Sequence, residues 1–366
     1  MSAFETPIHF VKGRGAGSNS GSRFEAWTRE KEIGEPDPDE VGTEASSCRT
    51  TVTEQRARSI ISRNSSPDIP FDQSINPYLG FEHGCICCYA RPTHAYLGLS
   101  PGIDFETKIF AKAKANANAG ELLRTELSKK SYTPALIALG ANTDPYQPAE
   151  RRLRITREVL PVLAEFHVPV SITTKSALVE RDIDLLAPMA AKGLARVLMS
   201  VGTLDHDLAR KMEPRANSPS RRIEAIRRLS AAGIHVGVIT SPVIPAINDK
   251  DMEAVLEAAA AAGATYASFV ILRLPLEVRD LFVGWLAQHF PLRAKHVMSL
   301  VQQMRDGRDY DASFGTRMRG TGVFAHLIAQ RFKVATSRLK LNAERSTMDT
   351  TQFRRPNRPA AQIDHF

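Results

Sequence analysis

The chain has 366 residues, of which 43% are hydrophobic and 24% are charged, and this length allows one large α/β domain or two smaller ones. No run approaches the ~18 apolar residues of a membrane span. The first residues lack the apolar core of a secretory signal, so we expect a cytoplasmic protein with no membrane partner. The net charge of +8 is compatible with a nucleic acid or another anionic partner, and equally with a solvated surface whose excess arginine lies in the tails.

The two ends of the chain differ in composition from its middle. Residues 1–70 are rich in Gly, Ser, Glu, Arg and Pro, which predicts a disordered N-terminal arm with one short helix near TEQRARSII, residues 53–61. Residues 346–366 contain the Pro/Arg sequence RRPNRPAAQ and predict a disordered tail. The core is therefore predicted for residues 71–300, followed by a C-terminal helical extension over 301–345.

Between the two ends, short apolar runs alternate with amphipathic stretches. Five runs have the continuous apolar character of strands buried on both faces: 135–143, 169–175, 195–202, 235–245 and 266–275. Five stretches have helical periodicity: 149–166, 182–192, 218–232, 250–262 and 278–289. This alternation is typical of a parallel sheet covered by helices. Polar residues follow several of the strands, where a parallel α/β barrel places its active site.

Three of the four cysteines lie within four residues, at Cys85, Cys87 and Cys88, and the fourth is Cys48. Such a cluster indicates soft-metal ligation rather than a disulfide framework. A tetrahedral zinc site usually needs two separated Cys-x2-Cys pairs, and the chain has no second pair. An iron–sulfur cluster with an incomplete set of protein ligands fits the pattern better, because an open iron takes a substrate or cofactor.

The surrounding sequence resembles a known family. The run NPYLGFEHGCICCYARPTHAYLGLSPGIDFETKIF (76–110) is similar to the cluster loop of a radical S-adenosylmethionine (radical SAM) subgroup related to the spore photoproduct lyase branch. The similarity continues through ANTDPYQPAE, the TKS segment, EPRANSPSRR, GVITSPVIPAIND, LRLPLEV and FGTRMRG, and it covers about residues 71–345. These motifs predict membership of that superfamily.

The resemblance implies an α/β fold with a partial (β/α)6 barrel, similar to a TIM barrel, holding a 4Fe-4S cluster and S-adenosyl-L-methionine. One-electron reduction by a donor such as flavodoxin or ferredoxin would cleave the cofactor to a 5′-deoxyadenosyl radical, which abstracts hydrogen from a substrate. The substrate stays unidentified, and the lyase branch favours a nucleic acid base. Spore photoproduct lyase uses a further cysteine as hydrogen donor. This chain has none after Cys88, which disfavours that reaction unless Cys87 or a tyrosine takes the role.

The chain departs from the superfamily at the cluster motif itself. Aligned on EHGC, the Cys-x3-Cys-x2-Cys positions hold Phe81, Cys85 and Cys88, and phenylalanine cannot bind iron. Three groups are candidates for the third ligand: Cys87, His83 or Cys48. Two main hypotheses follow: a radical SAM enzyme with an altered cluster, or a catalytically silent barrel that binds S-adenosylmethionine or an anionic partner. A zinc-binding regulatory protein is a third, weakened by the missing fourth ligand.

The resemblance also assigns cofactor contacts to the strand ends. Residues 140–144 resemble the segment that meets the methionine amino group, with Gly140, Asn142, Thr143 and Asp144 as the candidates. Three further candidates are Lys175 for the methionine carboxylate, Ser200 for the ribose or carboxylate, and Arg215 for the carboxylate or ribose hydroxyls. Each candidate has a structural alternative. Residues 140–144 could form only a Gly-Asn turn, and Lys175 could be a solvated surface lysine. The Ser200 hydroxyl could bond to the backbone, and Arg215 could form an ion pair with Glu213. No catalytic residue is assigned.

Overall fold

The computed structural model describes residues 12–19, 21, 23–24, 49–113, 118–344 and 348–356. Cys48 and the other residues of the two predicted ends that fall outside these ranges are not described, so what the sequence predicts for them stays a prediction. The strands are β1 (Thr51–Arg56), β2 (Ile61–Arg63), β3 (Gln73–Ile75), β4 (Tyr78–Leu79), β5 (Lys108–Ala113), β6 (Ile137–Leu139), β7 (Val170–Thr174), β8 (Ala195–Ser200), β9 (His235–Val243) and β10 (Tyr266–Ile271).

The α-helices are α1 (Ile103–Thr107), α2 (Ala119–Leu127), α3 (Glu150–Leu153), α4 (Ile155–Glu165), α5 (Ile183–Ala190), α6 (His206–Met212), α7 (Pro219–Ala231), α8 (Met252–Ala261), α9 (Val278–His289), α10 (Ala294–Gln303) and α11 (Gly322–Arg338). Short 3-10 helices cover Arg91–Leu97, Ala177–Asp182 and Asp249–Asp251. Within the described ranges, no helix is long and apolar enough to cross a membrane.

The main sheet has seven strands in the order β10-β9-β8-β7-β6-β3-β2. The six strands from β3 to β10 in this sheet pair in parallel, and β2 pairs antiparallel with β3 at the edge. The buried apolar residues of β7 and β8, namely Val170, Ile172, Ala195, Val197 and Met199, alternate along each strand, so one face of the sheet packs against the apolar core. The predicted α/β fold with a partial (β/α)6 barrel is confirmed.

A second sheet has three strands in the order β1-β5-β4, and its strand β1 lies within the predicted N-terminal arm, residues 1–70. β1 covers the first four residues of the predicted helix at TEQRARSII, β2 begins at its last, and the structure has no helix between them, so that prediction is wrong. β1 pairs in parallel with β5 over six residues, from Thr51 with Lys108 to Arg56 with Ala113. These pairings join segments about fifty residues apart in the chain, so no local pattern reveals them, and tertiary pairing overrides the local helical preference.

Parts of both predicted disordered ends pack against the core. Gly15 and Ala16 donate their backbone N–H groups to the Glu106 carboxylate, each at 2.9 Å. In the C-terminal tail, the Phe353 ring lies 5.5 Å from the ring of Tyr132 and 6.3 Å from that of Phe166, measured between centroids. The ordered structure is therefore more extensive than the composition of the ends predicts.

Candidate functional site

A cavity of about 250 Å³ lies at the carboxyl ends of the parallel strands. Its walls come from the loop after β6, the ends of β7 and β8, the middle of β9 and the end of β10. The three clustered cysteines and Phe81 line the same cavity from the loop that follows β4. The strand ends and the cysteine loop are thus brought together, as a parallel barrel with an active site at this edge requires.

The cysteine loop is buried against the barrel. Cys85 and Cys87 are 5% and 9% exposed, and Cys88 is half-buried. Gly84 has a φ of +71°, which the loop uses to turn towards the cavity. Burial raises the pKa of all three thiols, that of Cys87 to about 12, although the positive charge of Lys175 acts in the opposite direction. Without a metal ion, the thiols are therefore neutral near pH 7.

Phe81 occupies the position that the resemblance assigns to the first cluster cysteine. Its side chain is 6% exposed, and its ring lies 5.1 Å from the ring of His83 and 6.4 Å from that of Phe105. Its backbone N–H donates to the carbonyl of Phe105 at 2.8 Å. A bulky ring that is fixed on two sides therefore stands where a thiolate would be needed.

The ligand set does not fit a cluster held by three protein ligands. Across the described ranges, no three His, Cys, Asp or Glu side chains are close enough together to hold a metal ion. His83 lines a second cavity, and its Nδ1 lies 3.6 Å from the Asp144 carboxylate. Burial lowers the pKa of His83 to about 3, so its ring is neutral. As the loop stands, Cys85, Cys87 and Cys88 share a cavity wall but do not form a metal centre.

A fully buried arginine, which does not line the cavity, holds the backbone of the cysteine loop. Arg91 donates to the Cys85 carbonyl at 3.0 and 2.8 Å and pairs with the buried carboxylate of Glu106. Its remaining guanidinium nitrogen donates to the carbonyls of Pro101 and Gly102, at 2.9 and 3.0 Å. A planar guanidinium with five donors suits this task, because it satisfies several carbonyls at once. Neither Arg91 nor Glu106 is identified as a site residue by the sequence pattern.

Lys175 and Ser200 meet on the cavity wall, as the sequence predicts for residues at the ends of neighbouring strands. Lys175 Nζ lies 3.0 Å from Ser200 Oγ and 3.3 Å from the Glu213 carboxylate. Burial lowers the pKa of Lys175, but the negative charge of Glu213 acts with smaller contributions in the opposite direction, and the pKa is raised overall. Burial likewise opposes ionisation of Glu213, yet Arg222 and Lys175 hold its pKa below the usual range. The group is therefore an ionised lysine and carboxylate at the cavity wall.

The loop after β6 is held in place by buried hydrogen bonds. The Asp144 carboxylate accepts from Thr174 Oγ1 at 2.7 Å and from the backbone N–H of Lys175 at 2.6 Å. Burial raises the pKa of Asp144 although these donors act against it. Asn142 receives its support through its backbone N–H, which donates to Asn76, and Thr143 donates its hydroxyl to the Tyr78 carbonyl. Gly140 is required, because a Cβ there would lie 2.5 Å from the Thr173 carbonyl oxygen.

Arg215 does not join the other predicted contacts. It lines the second cavity and pairs with Glu82 at 2.8 Å, rather than with Glu213. Glu213 is instead bound by the buried Arg222, at 2.9 Å. The EPRANSPSRR segment contains Glu213, Arg215 and Arg222, whereas Glu82 lies elsewhere in the chain. Sequence alone does not show which of the two arginines reaches the Glu213 carboxylate.

Comparisons with known proteins identify the family of the chain. The sequence model of the radical SAM superfamily matches residues 76–259. An uncharacterized protein of Mycobacterium tuberculosis is 37% identical over 225 residues, which are 61% of this chain and 65% of that protein. One of Methanocaldococcus jannaschii is 27% identical over 175 residues, which are 48% of this chain and 61% of that one. The chain thus spans just under two thirds of the length of these relatives.

Solved structures show the same fold. A mutant of spore photoproduct lyase superposes with a TM-score of 0.57 at 15% identity, covering 80% of this chain and 81% of that one. A second mutant gives a TM-score of 0.53 at 14% identity with the same coverage. At this level of identity the likeness concerns the fold alone. The superfamily match covers half of the chain and includes the cysteine loop and strands β6 to β9, so this protein belongs to the radical SAM superfamily.

Proposed function

We propose that this protein binds S-adenosylmethionine in the cavity at the strand ends and, with Phe81 in its cysteine loop, does so as a catalytically silent member of its superfamily. The observation that carries the proposal is the ionised pair of Lys175 and Glu213 on a cavity wall that also contains Phe81. The methionine end of the cofactor is a zwitterion, and a wall that offers both signs of charge accommodates it.

The rest of the cavity suits the other end of the cofactor. The wall formed by β9 and β10 is mainly apolar and includes Ile239, Pro242, Val270 and Ile271. Apolar side chains with a few placed polar groups are typical of small-molecule pockets, and such a surface packs well against an adenine ring. The loop after β6 supplies backbone groups beside the charged wall, where the amino and carboxylate groups of a bound methionine would lie.

The experiment that tests this function measures cofactor binding without iron. We expect the iron-free protein to bind S-adenosylmethionine in isothermal titration calorimetry. We expect Lys175→Met to weaken that binding about 10- to 100-fold, since it removes a charge-assisted hydrogen bond to the carboxylate. The control is Lys333→Met, because Lys333 is exposed on α11, far along the chain from the cavity lining. Thermal unfolding of each variant separates lost binding from lost folding. Absence of binding by the wild type at millimolar cofactor rejects the proposal.

A second candidate function rests on a specific observation: Cys85, Cys87 and Cys88 all line one cavity. If the loop rearranges, Cys87 completes a 4Fe-4S cluster, and the protein is a radical SAM enzyme that receives an electron from a flavodoxin or ferredoxin. Tyr89 is half-exposed at the cavity, and the Arg273 guanidinium lies 5.0 Å from its ring centroid. An aromatic face beside a cation suits an aromatic or anionic substrate, such as a nucleic acid base.

Anaerobic reconstitution with iron and sulfide, dithionite reduction and assay of 5′-deoxyadenosine test this second candidate. The enzyme hypothesis expects the wild type to form 5′-deoxyadenosine and Cys87→Ala to form none, because two thiolates hold a cluster poorly. Cys48→Ala is the companion variant, since it also removes one thiol and tests the other candidate cysteine ligand; only Cys87→Ala is expected to abolish the product if Cys87 is the ligand. If wild type and Cys87→Ala are equally inert, Cys87 does not re-ligate a cluster.

A further inference from the structure

A second cavity, of about 310 Å³, adjoins the cysteine loop through His83. Its lining includes two arginines, Arg151 and Arg215, and the neutral polar side chains of His83, Ser176 and Asn217, and no carboxylate among the described residues. A water molecule takes up about 30 Å³, so the cavity has room for a polyatomic ion with its hydration. We propose that this cavity is a binding site for a phosphate group, and the proposal does not depend on the state of the cluster.

The charge of the lining favours an anion. Arg215 donates a hydrogen bond from Nη2 to the Glu82 carboxylate at 2.8 Å, and its other guanidinium donors remain available. Arg151 is exposed on α3, and its guanidinium makes no hydrogen bond or ion pair within the part of the chain that the structure describes. Of the carboxylates outside the lining, Glu150, the residue before Arg151, is paired with Arg181 at 2.7 Å, and Asp144 lies behind His83, 3.6 Å from its Nδ1. Arg151, which has no counter-charge among the described residues, and the unused donors of Arg215 attract an anion.

Asn217 and Ser176 each accept a hydrogen bond from the protein backbone and retain a donor. Asn217 Oδ1 accepts from the backbone N–H of Ala177 at 2.8 Å, so the amide NH2 of Asn217 is left to donate. Ser176 Oγ accepts from the backbone N–H of Leu178 at 3.2 Å, which leaves its hydroxyl hydrogen to donate. The guanidinium, amide and hydroxyl donors of this lining match the oxygens of a phosphate, and its two guanidinium groups do not suit a metal cation.

Two further features act in the same direction. His83 is 2% exposed, and its buried Nδ1 has no hydrogen-bond partner, so this lining residue retains polar capacity inside the protein. Asn217 immediately precedes Ser218, the N-cap of the 13-residue helix α7. The positive end of a helix of this length adds to the attraction for an anion nearby.

The test is calorimetric titration of the full chain with inorganic phosphate at constant ionic strength, with chloride as the competing salt. Arg151→Gln is expected to weaken phosphate binding at least about fivefold. Arg152→Gln is its matched control, because Arg152 is the exposed neighbour on α3 and does not line the cavity. It is expected to bind phosphate as the wild type does. Asn217→Asp keeps the acceptor for Ala177 but replaces the donating NH2 with a negative oxygen, and is expected to abolish binding.

Two sources of the phosphate group are separated by repeating the titration with a single-stranded oligonucleotide. Binding of both ligands, each weakened by Asn217→Asp, indicates a phosphodiester site. Binding of inorganic phosphate alone indicates a site for a free phosphate or a small phosphorylated molecule. Equal weakening by Arg151→Gln and Arg152→Gln, or no phosphate binding beyond that of chloride, overturns the proposal. Circular dichroism of each variant establishes that it folds.

Discussion

Anaerobic reconstitution of Phe81→Cys is expected to yield about four irons and four labile sulfides per chain, whereas the wild type is expected to hold no such cluster. The reason is positional. Phe81 lines the same cavity as Cys85 and Cys88, so a thiol there gives the loop a third ligand at the spacing that the superfamily uses. Iron and sulfide analysis measures the gain, and formation of 5′-deoxyadenosine from S-adenosylmethionine shows whether the cavity becomes active.

The same substitution is expected to cost stability before iron is added. Removal of a buried aromatic ring from a packed site typically lowers the free energy of unfolding by about 3–5 kcal/mol, and cysteine retains part of the lost volume, so we expect about 2–4 kcal/mol for Phe81→Cys. Phe81→Ser is the matched control, because it opens the same space without a thiol and is expected to lose stability without binding iron. A wild-type protein that already holds four irons, or a Phe81→Cys variant that holds none, contradicts this account.

Part of the site can be predicted from sequence, because several of its residues lie at the ends of parallel strands, and those ends meet in the fold. The carboxyl ends of parallel strands meet at one edge of a sheet. Asp144, Lys175 and Ser200 follow or end β6, β7 and β8, and the structure brings all three to the cavity. The strands themselves are predicted by their apolar runs, since a strand buried on both faces has little choice of residue.

The remainder depends on contacts between distant segments, which no local pattern encodes. Arg215 follows α6 in a loop, and its direction is set by Glu82, 133 residues earlier in the chain. β1 forms only because β5 offers an edge for pairing, and composition alone identifies that region as an arm. The role of Glu106 likewise depends on distant partners. Its carboxylate accepts from the backbone N–H groups of Gly15 and Ala16 and pairs with the guanidinium of Arg91.

Replacement of Arg91 by methionine is expected to lower the free energy of unfolding by about 3–5 kcal/mol, the range for removal of one partner of a buried ion pair. Arg91 and Glu106 are both fully buried, and Arg91→Met leaves the Glu106 carboxylate without its counter-charge and the Cys85 carbonyl without its donors. Unfolding by guanidinium chloride at pH 7 measures the decrease in the free energy of unfolding. Faster reaction of Cys85 and Cys88 with a thiol reagent is expected below the unfolding transition, because the loop loses the group that fixes it.

The double variant Arg91→Met/Glu106→Gln distinguishes the unpaired charge from lost packing. If the buried carboxylate causes most of the loss, its neutralisation restores part of the stability that Arg91→Met removes, and the two substitutions are not additive. Arg338→Met is the control for an exposed pair. The side chains of Arg338 and Glu257 are 60% and 49% exposed. Arg338→Met is therefore expected to lower the free energy of unfolding by less than about 1 kcal/mol. A loss of similar size for Arg91→Met would mean that the cysteine loop keeps its shape without the buried pair.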